Sequence, residues 1–142
     1  MPMAHLAFPH AALAWLTILL LAIGNGLLRE AALLPRLGRV AGTMASGLVL
    51  IAAVFAVAWL LLRWRPARSP AQAWRLGLGW LAATLLFETG FGLARGLSWP
   101  ELASAYTFAD GNLWPLVLVA VLLAPWLCTR MRRDGRLPAQ RR

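Results

Sequence analysis

Lysine is absent from this 142-residue chain, acids number only five, and cysteine and tyrosine occur once each. A single thiol, Cys128, excludes an internal disulfide and any multi-cysteine metal site. His5 and His10, both close to the N-terminus, are too few for a metal centre. No metal and no cofactor is therefore expected. Ser46, Ser98 and Ser104 have no neighbouring histidine to activate them, so catalysis by a serine–histidine pair has no footing and no enzyme is expected.

Charge is scarce as well. Charged types make up 13% of the chain and apolar types 61%, whereas an average soluble domain carries roughly 25% charged residues. Five acids and fourteen arginines cannot coat a soluble domain this apolar, so lipid is the expected solvent. The formal charge of +9 comes entirely from arginine, which stays protonated at physiological pH. Nucleic acid is not the expected partner, because the arginines cluster at the ends of apolar runs, where membrane topology accounts for them.

A bilayer core of roughly 30 Å requires about 20 apolar residues at a rise of about 1.5 Å each. Four stretches meet this, at about residues 11–28, 43–62, 76–95 and 113–128, followed by a basic tail at 129–142. The expected fold is all-α: a single polytopic membrane domain over residues 1–142, a four-transmembrane-helix bundle. The first stretch ends in small residues at Ala22, Gly24 and Gly26, as a secretion signal does, yet residues 1–10 hold no arginine or lysine. It is read as a permanent helix.

Arginine counting orients the bundle. The second loop carries Arg63, Arg65, Arg68 and Arg75 without an acid, and the tail carries Arg130, Arg132, Arg133, Arg136, Arg141 and Arg142 with one aspartate. Both regions, and hence both termini, are expected to be cytoplasmic in a cell inner (plasma) membrane. The eight tryptophans mostly fall within a turn or two of a span end, as an aromatic belt requires.

The chain also matches itself. Gly24-Asn25-Gly26-Leu27-Leu28-Arg29 and Gly90-Phe91-Gly92-Leu93-Ala94-Arg95 are both G-x-G-L-x-R; Trp59-Leu60 with Arg63 and Arg65 and Trp126-Leu127 with Arg130 and Arg132 are both W-L-x-x-R-x-R. Either a two-helix hairpin has been duplicated, or a Leu-, Gly- and Arg-rich chain matches itself by chance. Duplication gives two tandem hairpins related by an axis along the membrane normal.

Glu88 is the costliest residue, because an acid near the centre of a span costs about 2.5–3.5 kcal/mol to insert. Helical spacing places Glu88, Phe91, Gly92 and Arg95 on one face of the third span, and Asn25 and Arg29 on one face of the first, with Glu30 beside it. Where those faces meet, Asn25, Arg29, Glu30, Glu88 and Arg95 gather in the outer half of the bundle. Two accounts stay open: a structural ion-pair network that docks the hairpins, or an outward-facing polar pocket with Glu88 as its titratable group. Tyr106, Asp110 and Asn112, in the loop before the fourth span, are possible outer contributors; Asp110-Gly111-Asn112 reads first as a turn.

Asn25-Gly26-Leu27-Leu28-Arg29-Glu30, Phe87-Glu88 with Gly90 and Gly92, and Asn112-Leu113-Trp114-Pro115-Leu116-Val117-Leu118 together span most of the chain. In them it resembles a family of small four-helix bacterial inner-membrane proteins to which no activity is attached. That resemblance implies membrane residence and supplies no chemistry. The chain is also similar to small multidrug resistance transporters in span count and in having an intramembrane Glu, which in those proteins lies in the first helix. Fluoride channels are similar in joining Gly-rich spans to an early Arg, with a weaker cytoplasmic arginine bias.

Two functional classes follow. In the first, the protein is an accessory or scaffold subunit of a larger membrane complex, with a structural Arg/Glu network and a tail that binds anionic lipid. In the second, it is a small homo-oligomeric transporter or channel for a proton, ion or small solute, with Glu88, Arg29 and Arg95 along the route.

Overall fold

The structure is a computed structural model and describes residues 6–135. Arg136, Arg141 and Arg142 of the expected tail, and His5, lie outside the described residues. The described chain is all-helical: α1 (Phe8–Leu28) leads through a π-helical turn (Arg29–Leu33) into α2 (Leu34–Leu37), followed by α3 (Arg39–Trp64), α4 (Pro70–Ala94), α5 (Trp99–Ser104), a 3-10 turn (Ala109–Gly111) and α6 (Trp114–Asp134). Four helical stretches are long and apolar enough to cross a membrane: Phe8–Leu37, Arg39–Trp64, Pro70–Ala94 and Trp114–Asp134.

The first connection corrects the sequence reading. Residues 29–42, which the expected spans at 11–28 and 43–62 leave as a connecting loop, are helical apart from Gly38, which turns the chain at φ +80°. The reason lies in Pro35, whose ring would collide with the carbonyl four residues back in a regular α-helix. One wider turn relieves this: the Leu34 N–H reaches back five residues to the Arg29 carbonyl, and the helix continues. The stretch Phe8–Leu37 has 30 residues, about 45 Å at helical rise. It outreaches a bilayer core and carries Arg29, Glu30 and Arg36 beyond its apolar part.

The second G-x-G-L-x-R segment ends its helix instead. Gly96 takes φ +82°; its N–H bonds to the Leu93 carbonyl and the Leu97 N–H to the Gly92 carbonyl, closing a Schellman turn. A glycine follows Arg95 where Glu30 follows Arg29, and that difference decides whether the helix stops. The other ends are set by familiar signals. Ser69 caps α4 by accepting from the Gln72 N–H, with Pro70 in the first turn, and Pro9 and Pro115 stand in the first turns of α1 and α6.

α6 is the most buried of the four long helices. It packs against α3 on one side and α4 on the other, while α1 leans mainly on α3 and meets α4 chiefly through long side chains. α3 buries Gly42, Ser46, Leu50, Val54, Ala58 and Leu62, a stripe of every fourth residue, which is the ridge that interdigitates between helices. α6 answers with Val117, Ala120, Val121, Ala124, Pro125, Cys128 and Thr129, small enough for close approach. On its other side, a β-carbon at Gly77 of α4 would run into the carbonyl oxygen of Leu122. Packing at that crossing is backbone against backbone.

One end of the bundle gathers arginine. There the Gln72 amide donates to the Leu6 carbonyl at 3.4 Å, and Arg132 and Arg133 donate to the Leu62 and Arg68 carbonyls. Arg63, Arg65, Arg68, Arg75 and Arg130 belong to the same end, with Asp134 the acid there among the described residues. The arginines expected in a tail from residue 129 are thus partly on α6, which runs on to Asp134.

Gly77→Ala should force α4 and α6 apart and lower stability by about 1–3 kcal/mol, the usual cost of overpacking. Gly79→Ala, where a β-carbon meets nothing within 4 Å, should be neutral or stabilising by up to about 1 kcal/mol from helix propensity. Thermal unfolding of the two variants in detergent checks the difference.

Candidate functional site

α1 and α4 are tied together over their lower portions. The Trp80 indole N–H donates to the Ala11 carbonyl at 3.0 Å, and the Trp15 indole N–H to Thr84 Oγ1 at 3.1 Å. Thr84 in turn donates to the Trp80 carbonyl at 2.8 Å. Where these bonds stop a cavity begins, with a volume of about 370 Å³, backed by α3 and α6. Such a volume would hold on the order of a dozen waters, within the ordinary range for small-molecule sites.

Its walls change character along the bundle. At the α1–α4 ties the lining is Trp15, Ile18, Leu19, Ala22, Leu50, Val54, Val117 and Val121. Toward the opposite end it is Asn25, Arg29, Thr43, Ser46, Glu88, Asn112 and Trp114.

Glu88 sits half-buried in this wall. Its Oε2 accepts from the Trp114 indole N–H at 3.0 Å and from the Tyr106 hydroxyl at 3.3 Å. Hydrogen bonds to a charged acceptor contribute about 1.5–3 kcal/mol each. Together they match in size the cost of about 2.5–3.5 kcal/mol for an acid near the centre of a membrane-spanning helix, and neither comes from an arginine. Burial first, then the charge of Glu88 and the bond to it, push the Tyr106 phenol above its ordinary range. It therefore remains a donor at neutral pH. Among the described residues, Glu88 Oε1 accepts from no donor and Glu88 joins no ion pair.

The ion-pair network linking the hairpins is therefore not what the structure forms. Its five residues separate into independent contacts. Asn25 Nδ2 donates to the Ser46 carbonyl at 3.0 Å and to Ser46 Oγ at 2.9 Å, linking α1 to α3. Since the carbonyl demands a donor, the amide orientation is fixed, and Asn25 Oδ1 is buried without a partner among the described residues. Arg29 pairs with its neighbour Glu30 at 3.2 Å on the exposed side of the π turn. Arg95 lies over the Phe91 ring at 5.6 Å. The physical cause is the helix ending at Ala94: Arg95 is the cap residue, seven positions or about 10 Å along the axis from Glu88. Arg29 and Asn25 line the cavity with Glu88; Glu30 and Arg95 do not.

The outer contributors divide as well. Tyr106 reaches Glu88. Asp110 and Gly111 take left-handed conformations at φ +53° and +76° and form a turn, with Asp110 facing Arg39 at 3.9 Å. Asn112 binds this turn to α6: Nδ2 donates to the Ala105 and Thr107 carbonyls, and Oδ1 accepts from the Trp114 N–H at 3.0 Å. That bond places the indole against Glu88, so Asn112 is a positioning residue as well as cavity lining.

Sequence reasoning missed Trp114, Ser46 and the Trp15–Thr84 tie. Trp114 was legible as a belt residue; its second meaning, a donor-only N–H within reach of an acid in a membrane-length helix, needed the α4–α6 pairing. Among the described residues no group of three or more His, Cys, Asp or Glu side chains could hold a metal. No family model matches the chain, and no curated protein and no solved structure matches it either.

Beside the cavity, the Glu101 carboxylate caps α5 by accepting from the Ser98 N–H and Oγ–H, each at 2.7 Å. The backbone bond, then the hydroxyl bond, hold its pKa below the usual carboxylate range. A depressed folded-state pKa means that the cap's contribution is present above the unfolded carboxylate pKa, about 4.3, and is lost as pH falls through the lower folded value. Hydrogen exchange at the Ser98 amide should therefore be slowed at neutral pH relative to Glu101→Ala. On acidification below the ordinary carboxylate range that difference should vanish.

Proposed function

We propose that this chain is an integral protein of a cell inner (plasma) membrane that crosses it four times, with both termini cytoplasmic, and that it binds and moves a small solute as an oligomeric transporter or channel. The arginine-rich end supports the orientation, since arginine in short loops and flanks is retained on the cytoplasmic side. The cavity then opens in the outer half of the bundle.

One observation carries the functional reading: a carboxylate within a membrane-length helix, satisfied by uncharged donors, forms the wall of a cavity large enough for a small solute. An acid retained for structure alone would be expected in a closed ion pair. Here both donors meet one oxygen and the other accepts from none among the described residues, which suits a group kept for a ligand or a proton. Four helices enclose little pathway, and α1 buries only Ala14 and Ile18 within the chain, so a second copy against α1 is the natural way to complete a route.

The exposed face of α1 also supports a second reading, an accessory subunit seated against a larger membrane partner, with the arginine-rich end on anionic lipid. The two are separated by transport. Wild-type protein in proteoliposomes, challenged with gradients of protons, alkali cations, halides, amines and amino acids, should give a current or flux for at least one class. Glu88→Gln should reduce it at least tenfold at equal reconstitution and unchanged unfolding temperature. No flux for any class, together with stoichiometric copurification of another membrane protein, would favour the accessory subunit.

A further inference from the structure

The cavity has a sign. Two side chains in its wall carry formal charge, Glu88 and Arg29. Arg29 is already engaged by Glu30 at 3.2 Å, whereas both donors to Glu88 converge on Oε2 and leave Oε1 without a donor among the described residues. What the site lacks is therefore a positive group, not a negative one.

The surroundings of Glu88 narrow the kind of cation. Trp15, Phe87 and Trp114 line the same cavity, and Trp15 and Phe87 stand edge to face with ring centroids 6.4 Å apart. Aromatic faces attract weakly hydrated organic cations, above all alkylated ammonium groups, while divalent inorganic cations favour several carboxylate oxygens, and among the described residues no group of three or more His, Cys, Asp or Glu side chains lies here. Toward the α1–α4 ties the wall turns apolar through Ile18, Ala22, Val54 and Val121, where a hydrated ion gains nothing and an apolar body is welcome.

Resting on the reading of the cavity as a ligand site, we infer that it binds a small organic cation, with the ammonium group at Glu88 Oε1 beside Trp114 and its apolar body among Trp15, Ile18, Ala22, Val54 and Val121. The group could come from a free amine or from the headgroup of an aminophospholipid. About 370 Å³ suits the former, since two acyl chains do not fit in the space of about a dozen waters.

The test uses three probes of similar size and opposite character: phenyltrimethylammonium, its uncharged isostere tert-butylbenzene, and benzenesulfonate. Each is titrated into the full-length protein in phosphatidylglycerol nanodiscs, following tryptophan fluorescence against empty discs. Saturable binding of the cation is expected, at least tenfold tighter than either comparison, and at least tenfold weaker in Glu88→Gln. The comparison among probes needs no variant, so a misfolded Glu88→Gln leaves it decisive. Competition by added phosphatidylethanolamine would assign the ammonium to a lipid, and indifference to it would assign a free cation; both sustain the ammonium chemistry. Equal affinity for cation and isostere, or preference for the sulfonate, would overturn the inference while leaving a ligand site. Absence of cation binding in protein that shows Glu88-dependent flux would overturn the inference alone; absence of both would remove the transport reading with it.

Discussion

A carboxylate in a membrane-length helix must find donors, and the partners Glu88 takes set the character of the whole half of this bundle away from the arginine-rich end. They are an indole from the first turn of α6 and a phenol from the loop before it, neither of which neutralises charge. The consequence is spatial as well as electrical. To deliver Trp114, α6 must lie close along α4, and the crossing of Gly77 with the Leu122 carbonyl is what allows it. To deliver Tyr106, the loop must fold back over the end of α4, which the turn at Asp110-Gly111 and the bonds of Asn112 accomplish.

With α6 held between α3 and α4, α1 is left with one main neighbour. It is fastened to α4 through Trp15–Thr84 and Ala11–Trp80 and to α3 through Asn25–Ser46, and the cavity is the space these ties leave open. The π turn at Arg29–Leu33 extends the same helix past Pro35 instead of ending it, which keeps Arg29 on the cavity rim with Glu30 beside it. Polar rim and apolar base thus follow from helix ends and helix crossings, not from any single motif.

Much of the fold was legible in the sequence because hydropathy and arginine placement act residue by residue. Four membrane-length stretches follow from run length alone, and the shared end of Arg63, Arg65, Arg68 and Arg75 with Arg130, Arg132 and Arg133 follows from alternating direction. Helix ends were less legible. Pro35 reads as a stop, yet a single π turn lets the helix pass it; the matching segment stops because Gly96 can adopt φ +82°. The site was legible in its parts and not in its pairing. Glu88, Asn25 and Arg29 do line one cavity, since burial cost singles out polar residues in apolar runs. Arg95 and Glu30 do not, because charge alone does not say which helix face, or which side of a cap, a long side chain will take. Trp114 carries a structural signal common to most of the eight tryptophans, and only three-dimensional pairing distinguishes it.

The central claim is that Glu88 is held by Trp114 and not by an arginine. The indole N–H resonance of Trp114, assigned in ¹⁵N-labelled protein by its loss in Trp114→Phe, reports that bond directly. It should move markedly in Glu88→Gln and stay in place in Arg95→Gln and Glu30→Gln. A resonance indifferent to Glu88→Gln, or displaced as far by Arg95→Gln, would contradict the account.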